Sequence, residues 1–171
     1  MARYRIVPER SQVWIDARSN VHSIHSNTEG LEGFIELELA ADGAVDSATK
    51  PAGRLSLSVS RLRSGNPMEE REMQKRIEAR KFPTIEGTLD AVERGGGDGT
   101  YKVSGDVTFR GVSRHHEDEM TIHAADDRTL ALAGSSRFDI REFGMAPPRV
   151  LMLKVDPEVT VRVEIHAEKE A

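Results

Sequence analysis

The segment Val103-Ser104-Gly105-Asp106-Val107-Thr108-Phe109-Arg110-Gly111-Val112-Ser113-Arg114 decides the fold. Val103, Gly105, Val107 and Phe109 share one phase, while Ser104, Asp106, Thr108 and Arg110 share the other. A period of two with β-branched and aromatic residues describes a strand with one buried face. Gly111 ends it in a bend, because glycine takes backbone angles that other residues avoid. Alternation resumes soon afterwards, so the segment reads as one arm of an antiparallel meander.

The same grammar recurs along the chain. In residues 12–19, Val13, Ile15 and Ala17 form an aliphatic phase assigned inward, which leaves Trp14 outside and in need of cover. Residues 34–39 carry Ile35, Leu37 and Leu39 on one phase, and residues 54–62 set Leu55, Leu57 and Val59 against Ser56, Ser58 and Ser60. Strands are also expected over 84–92, 100–110, 119–124, 129–140 and 155–167, the last with Val159, Val161, Val163 and Ile165 inward. Residues 20–30 read as a polar, turn-rich connection. Asp42-Gly43, Asp126-Asp127-Arg128 and Gly95-Gly96-Gly97-Asp98-Gly99 read as turns. The last has neither the spacing nor the basic residue of a phosphate loop.

One stretch breaks the pattern. Asn66 suits a helix N-cap, Pro67 the first helical position, and Glu69, Glu70 and Glu72 the first turns. A helix is expected over about 67–80, with Met73 and Ile77 on one face and Pro83 barring its extension. About eight strands and one inserted helix, with no strand–helix alternation, argue against a parallel sheet. The expectation is an all-β fold in a single domain over 1–171: an antiparallel array this long either splits into a sandwich or closes into an eight-stranded β-barrel, whose closure removes open edges and whose interior can hold one small ligand.

Composition narrows the function. A net charge of −5 with no dense run of Lys or Arg argues against nucleic-acid binding. The absence of cysteine excludes disulfides and thiolate metal sites. No apolar run follows Met1-Ala2-Arg3-Tyr4-Arg5 and none is long enough to span a membrane, so the expected location is the cytoplasm.

Four segments then resemble the YceI-like family, in the family's order. Ser11-x-Val13-x-Ile15-x-Ala17 is similar to its opening strand. Leu62-x-Ser64-Gly65-Asn66, Glu70-Arg71-Glu72 and Phe82-Pro83-Thr84-Ile85 are similar to its strand–helix–strand section. Residues Gly105 to Arg114 resemble its G-x-L-T-x-x-G-V-T-K hairpin, and Phe138-Asp139-Ile140-Arg141-Glu142-Phe143-Gly144 its I-x-R-S-D-F-G segment. The resemblance implies a lipocalin-like barrel that binds or carries an isoprenoid, quinone, fatty-acid-type or other amphiphilic lipid, with no catalysis and no further cofactor. The sequence departs from the family at Ser19, where a histidine is frequent, and after Gly111, where His115-His116-Glu117-Asp118-Glu119 replaces apolar residues.

The ligand-binding candidates are Val13, Ile15, Ala17, Ser19, His22, His25, Val107, Phe109, Phe138, Arg141 and Phe143. Arg141 is read either as a partner for an anionic head group or as half of a structural ion pair. Phe109, Phe138 and Phe143 are read either as tunnel wall or as ordinary core. His22 and His25, beside Asp16 or Glu29, need a third ligand such as His115 or His116 to hold a metal. A metal-dependent or acid–base enzyme built on those four histidines is therefore the alternative to the carrier. The run from His115 to Glu119 reads more simply as a solvated hairpin, and Glu69-Glu70-Arg71-Glu72 as a solvated helix start. The apolar segments 145–148 and 150–153 are read as cover for a barrel mouth or as a homodimer contact.

Overall fold

The computed structural model describes residues 1–150 and 152–171, and only the backbone of Val150. Leu151, in one of the two apolar segments, lies outside the described residues. The strands are β1 (Ala2–Ile6), β2 (Gln12–Ser19), β3 (Ser23–Thr28), β4 (Glu32–Leu37), β5 (Ala52–Ser58), β6 (Thr84–Leu89), β7 (Ala91–Arg94), β8 (Thr100–Phe109), β9 (Val112–Ala124), β10 (Thr129–Asp139), β11 (Arg149–Val150) and β12 (Leu153–Lys169). Among the described residues one α-helix, α1 (Pro67–Ile77), lies between β5 and β6. No helix among the described residues is long and apolar enough to cross a membrane.

Eight strands close a ring in the order β1-β4-β5-β6-β8-β9-β10-β12, and β12 returns to β1 through Ile6↔Ala167, Arg5↔Glu168 and Tyr4↔Lys169. Every pairing is antiparallel, which short hairpin connections permit. β12 is long enough to serve two neighbours. Its end pairs with β1, and its middle pairs with β2 through Val163↔Val13, Val161↔Ile15 and Val159↔Ala17. Between β1 and β2 the chain makes a short 3-10 turn at Pro8–Arg10. Buried Ser11 pins that break: its hydroxyl donates to Val7 O at 2.9 Å and accepts from the His166 N–H at 3.1 Å. The two extra residues of β12 between Val155 and Val159 form a bulge, and Pro157 sits where the ladder has no use for its missing N–H.

Several sequence expectations change. Residues 23–28 are a strand, β3, whose inward positions Ile24, Ser26 and Thr28 are mostly hydroxylic. The expected strand over 84–92 breaks at Asp90 into β6 and β7. The run His115-His116-Glu117-Asp118-Glu119 belongs to a 13-residue strand, not to a hairpin tip. The helix stops at Ile77 because Glu78 turns left-handed at φ 58°. Trp14 finds its cover in Arg162, directly opposite on β12, whose guanidinium lies 4.4 Å from its ring.

The interior has two filled zones. One end is packed solid by Tyr4, Ile6, Leu37, Tyr101, Leu130, Ile165 and their neighbours. There the loop after β4 folds across the ring, and its Val45 N–H donates to the Tyr101 hydroxyl at 2.9 Å. The other end is roofed by Val59, Leu62, Ile77, Ile140 and Met145. At that end the free edge of β3 meets, among the described residues, no further strand but the isolated Asn27↔Arg63 bridge ahead of α1.

Arg110 ties the roof to the wall. It stands at φ 53° beside Gly111 at φ 72°, the two positive angles that a tight two-residue hairpin between β8 and β9 requires. Its side chain is 15% exposed, and its guanidinium donates to Glu78 Oε2 at 2.6 Å, Phe143 O at 3.3 Å, Ile77 O at 3.4 Å and Gly144 O. One side chain thus joins the end of α1 to the 3-10 turn Ile140–Phe143. Charged hydrogen bonds contribute about 1.5–3 kcal/mol each when a partner would otherwise be stranded, and they overlap here, so Arg110→Ala is expected to cost about 2–3 kcal/mol. Arg110→Lys is expected to recover only part of it in chemical denaturation, because a point charge cannot reach this many carbonyls.

Candidate functional site

Between the filled end and the roof lies a cavity of about 300 Å³. β2 and β12 build its longest wall with Val13, Ile15, Ala17, Val159, Val161 and Val163. Opposite them stand Leu55 and Leu57 of β5, Ile85 of β6, and Val107 and Phe109 of β8. Phe138, Ile140, Phe143 and Met145 close one side of the roof, and Leu62, Met73 and Ile77 the other. The β period of two makes this wall: each strand sends every second side chain inward, and those positions are aliphatic.

The aromatic cluster is half wall and half core. Phe109 and Phe143 meet edge to face with centroids 5.8 Å apart, and Phe138 lies 6.4 Å from Phe143. β9 and β10 pair only through Met120↔Gly134 to Ala124↔Leu130, so they part beyond Met120. In that split the His116 ring stacks on Phe138 at 4.4 Å. Its Nε2 is buried without a hydrogen bond and has only Asp118 Oδ2, at 3.5 Å, nearby.

Among the predicted site residues, Val13, Ile15, Ala17, Val107, Phe109, Phe138 and Phe143 line the cavity. The polar candidates stand elsewhere. Ser19 closes the turn from β2 to β3, donating to His22 O at 2.5 Å. His25 is on the outer phase of β3, 71% exposed, with Nδ1 2.6 Å from Asp16 Oδ1. Arg141 folds back on Asp139 with Nη2–Oδ2 at 2.7 Å and Nε–Oδ1 at 3.0 Å, outside the cavity. Its hydrogen bonds hold the Asp139 carboxyl below the usual carboxylate range. Of the two readings of Arg141, the ion pair is the one present.

The four histidines of the enzyme alternative do not converge. His22 Nε2 faces Glu69 Oε1 at 3.6 Å and His115 Nδ1 faces Asp106 Oδ1 at 3.2 Å, while His25 and His116 keep the separate partners given above. Among the described residues the one set of three potential ligands close enough for a metal is Asp90, Asp106 and His115, all exposed.

Sequence reasoning missed Glu69. Its side chain is only 13% exposed and borders the cavity, as Ser26 and Ser64 also do. Asn66 caps the helix as expected, its Oδ1 accepting from the Met68 and Glu69 N–H groups at 3.0 and 3.2 Å. Glu70 turns away to accept from the Ser64 and Gly65 N–H groups at 2.8 and 3.2 Å. Position in the first turn was readable; which acid turns inward is a matter of tertiary packing.

The chain is thus a closed, lipocalin-like antiparallel barrel with an inserted helix, an apolar hollow and a roof over it. The family comparison is specific: the YceI-like domain model matches residues 4–167, and the chain belongs to that family. No curated protein matches the sequence. Among solved structures, Burkholderia cenocepacia BcnA superposes with a TM-score of 0.77 at 14% identity, over 94% of this chain and 98% of that one. A polyisoprenoid-binding domain from Saccharophagus degradans, implicated in plant cell wall breakdown, gives 0.76 at 11% identity over 99% and 100%. The Campylobacter jejuni YceI protein gives 0.64 at 13% over 85% of each chain. At these identities the likeness is one of fold.

Proposed function

We propose that the protein is a non-catalytic carrier that buries the hydrocarbon part of one amphiphilic lipid, of isoprenoid or fatty-acyl type, in the barrel cavity. The observation that carries this reading is the hollow itself, about 300 Å³ walled by aliphatic and aromatic side chains. That volume is at the small end of ligand sites, which suits a single chain of modest length. Each methylene moved from water into such a wall gains about 0.8 kcal/mol, so a chain can be held with no specific bond. Family membership and the polyisoprenoid-binding domain among the structural neighbours support the same direction. Native mass spectrometry after incubation with prenyl alcohols, prenyl quinones and fatty amides tests it. One bound molecule per chain is the expected result. Recovery of ligand-free protein from every mixture would remove the proposal.

A further inference from the structure

The charges around the cavity are one-sided. Glu69 and Glu86 are the charged residues in its wall, and no Lys or Arg among the described residues lines it. Glu86 is exposed, bordering the cavity where β6 and β8 share only the pairs Glu86↔Thr108 and Gly87↔Val107. Glu69 is largely buried, in the first turn of α1, with its Oε1 3.6 Å from Nε2 of the half-exposed His22. Ser26 and Ser64 add hydroxyl groups to the same wall. The arginines of the roof are committed elsewhere: Arg110 to Glu78 and main-chain carbonyls, Arg141 to Asp139.

Glu69 Oε1 lies beside the half-exposed His22, so at the first turn of α1 the cavity borders solvent-accessible polar groups, and a head group placed there lies next to the Glu69 carboxylate. A phosphate or carboxylate there would face the Glu69 carboxylate across a partly dry gap, where like charges repel far more than in water. A hydroxyl, amide or ammonium would instead donate to that carboxylate, and a hydrogen bond to an ionised acceptor is among the stronger kinds. We propose that the cavity selects amphiphiles with a neutral or cationic, hydrogen-bond-donating head group over anionic ones, and that Glu69 is the residue that sets this selectivity. The proposal rests on the carrier reading and adds the head-group class to it.

The test uses one chain with three heads: farnesol, farnesylamine and farnesyl phosphate, each displacing a fluorescent apolar probe from the full-length protein at low salt. Farnesol and farnesylamine are expected to bind at least tenfold more tightly than farnesyl phosphate. An apolar wall alone also disfavours a phosphate, so the assignment to Glu69 rests on a variant. In Glu69→Gln, which keeps the shape of the side chain, the gap between farnesol and farnesyl phosphate is expected to narrow severalfold. In Glu69→Lys the phosphate is expected to overtake the amine. Phosphate binding as tight as farnesol in the unaltered protein would overturn the selectivity and leave the carrier intact. An unchanged gap in both folded variants would overturn the role of Glu69. Failure of every farnesyl compound to displace the probe would remove the carrier reading, and this inference with it.

Discussion

Gly105→Val is expected to prevent the protein from folding. β8 changes partner at this residue: Val107 pairs with Gly87 of β6 on one side, and Ser104 pairs with Ala91 of β7 on the other. The chain bends between those two strands, and the bend leans onto Gly105. A Cβ there would stand 1.7 Å from Thr88 O and 2.7 Å from Thr88 C. The hydrogen bonds that hold the bend, Asp90 N–H to Ser104 O at 2.9 Å and Asp106 N–H to Thr88 Oγ1 at 3.0 Å, leave no slack for retreat. Separating the strands would sacrifice the β6–β8 seam, which has few pairs to lose, and open the ring. Clashes of this kind cost upward of about 4 kcal/mol, a large part of the roughly 5–15 kcal/mol that holds a domain together. Even Gly105→Ala is expected to lower the denaturation midpoint sharply. Gly96→Ala is the control, since a Cβ there meets nothing within 4 Å. Chemical denaturation followed by circular dichroism reads both. A cooperative, near-native transition in Gly105→Val would show that the bend is not fixed against β8.

Gly105 was visible in the sequence as a glycine on the inward phase of an alternating strand, but its reason was not. Alternation reports which face is buried and is silent on which strand lies beside it. The same limit explains β3. Its inward residues Ser26 and Thr28 are buried, yet they are polar, so hydropathy gives no period for a strand that exists because β2 pairs with it. β9 fails for a related reason. Beyond Met120 it leaves β10 and keeps only β8, so Asp118 and His116 occupy its inward phase without needing to be apolar.

The walls of the cavity were legible and its polar end was not. Val13, Ile15, Ala17 and Val159, Val161, Val163 stand on phases that the sequence repeats cleanly, and the structure lays those two runs side by side. Polar residues carry no such period. Histidines attract attention as chemical groups, yet His25 and Arg141 satisfy an acid on the same or a neighbouring segment. Glu69, in an acidic run that reads as solvated, is the one held against the hollow, because α1 must turn Met73 and Ile77 inward and Glu69 lies one turn before Met73 on that face.

The double variant Ala17→Phe, Val161→Trp is expected to abolish lipid uptake and to leave the barrel folded. Both side chains point into the cavity from adjacent strands, where Val161 stands opposite Ile15 and Ala17 opposite Val159. Overpacking normally destabilises a core by about 1–3 kcal/mol because atoms are forced into occupied space. Here the added rings enter a hollow of about 300 Å³, where they gain contacts that the unliganded wall lacks. Unliganded stability is therefore expected to stay level or rise. Binding responds in the opposite direction. A chain that buries ten methylenes stands to gain up to about 8 kcal/mol from transfer, before the cost of ordering it, and the rings remove the space in which that gain is made. In the unaltered protein, ligand at about 100 times its Kd raises stability by about 2.7 kcal/mol, visible as a shift in Tm. The double variant should show no shift at any ligand concentration and no lipid in native mass spectrometry. A folded variant that still takes up lipid would place the guest outside the barrel, against the outer face of the strands or the roof.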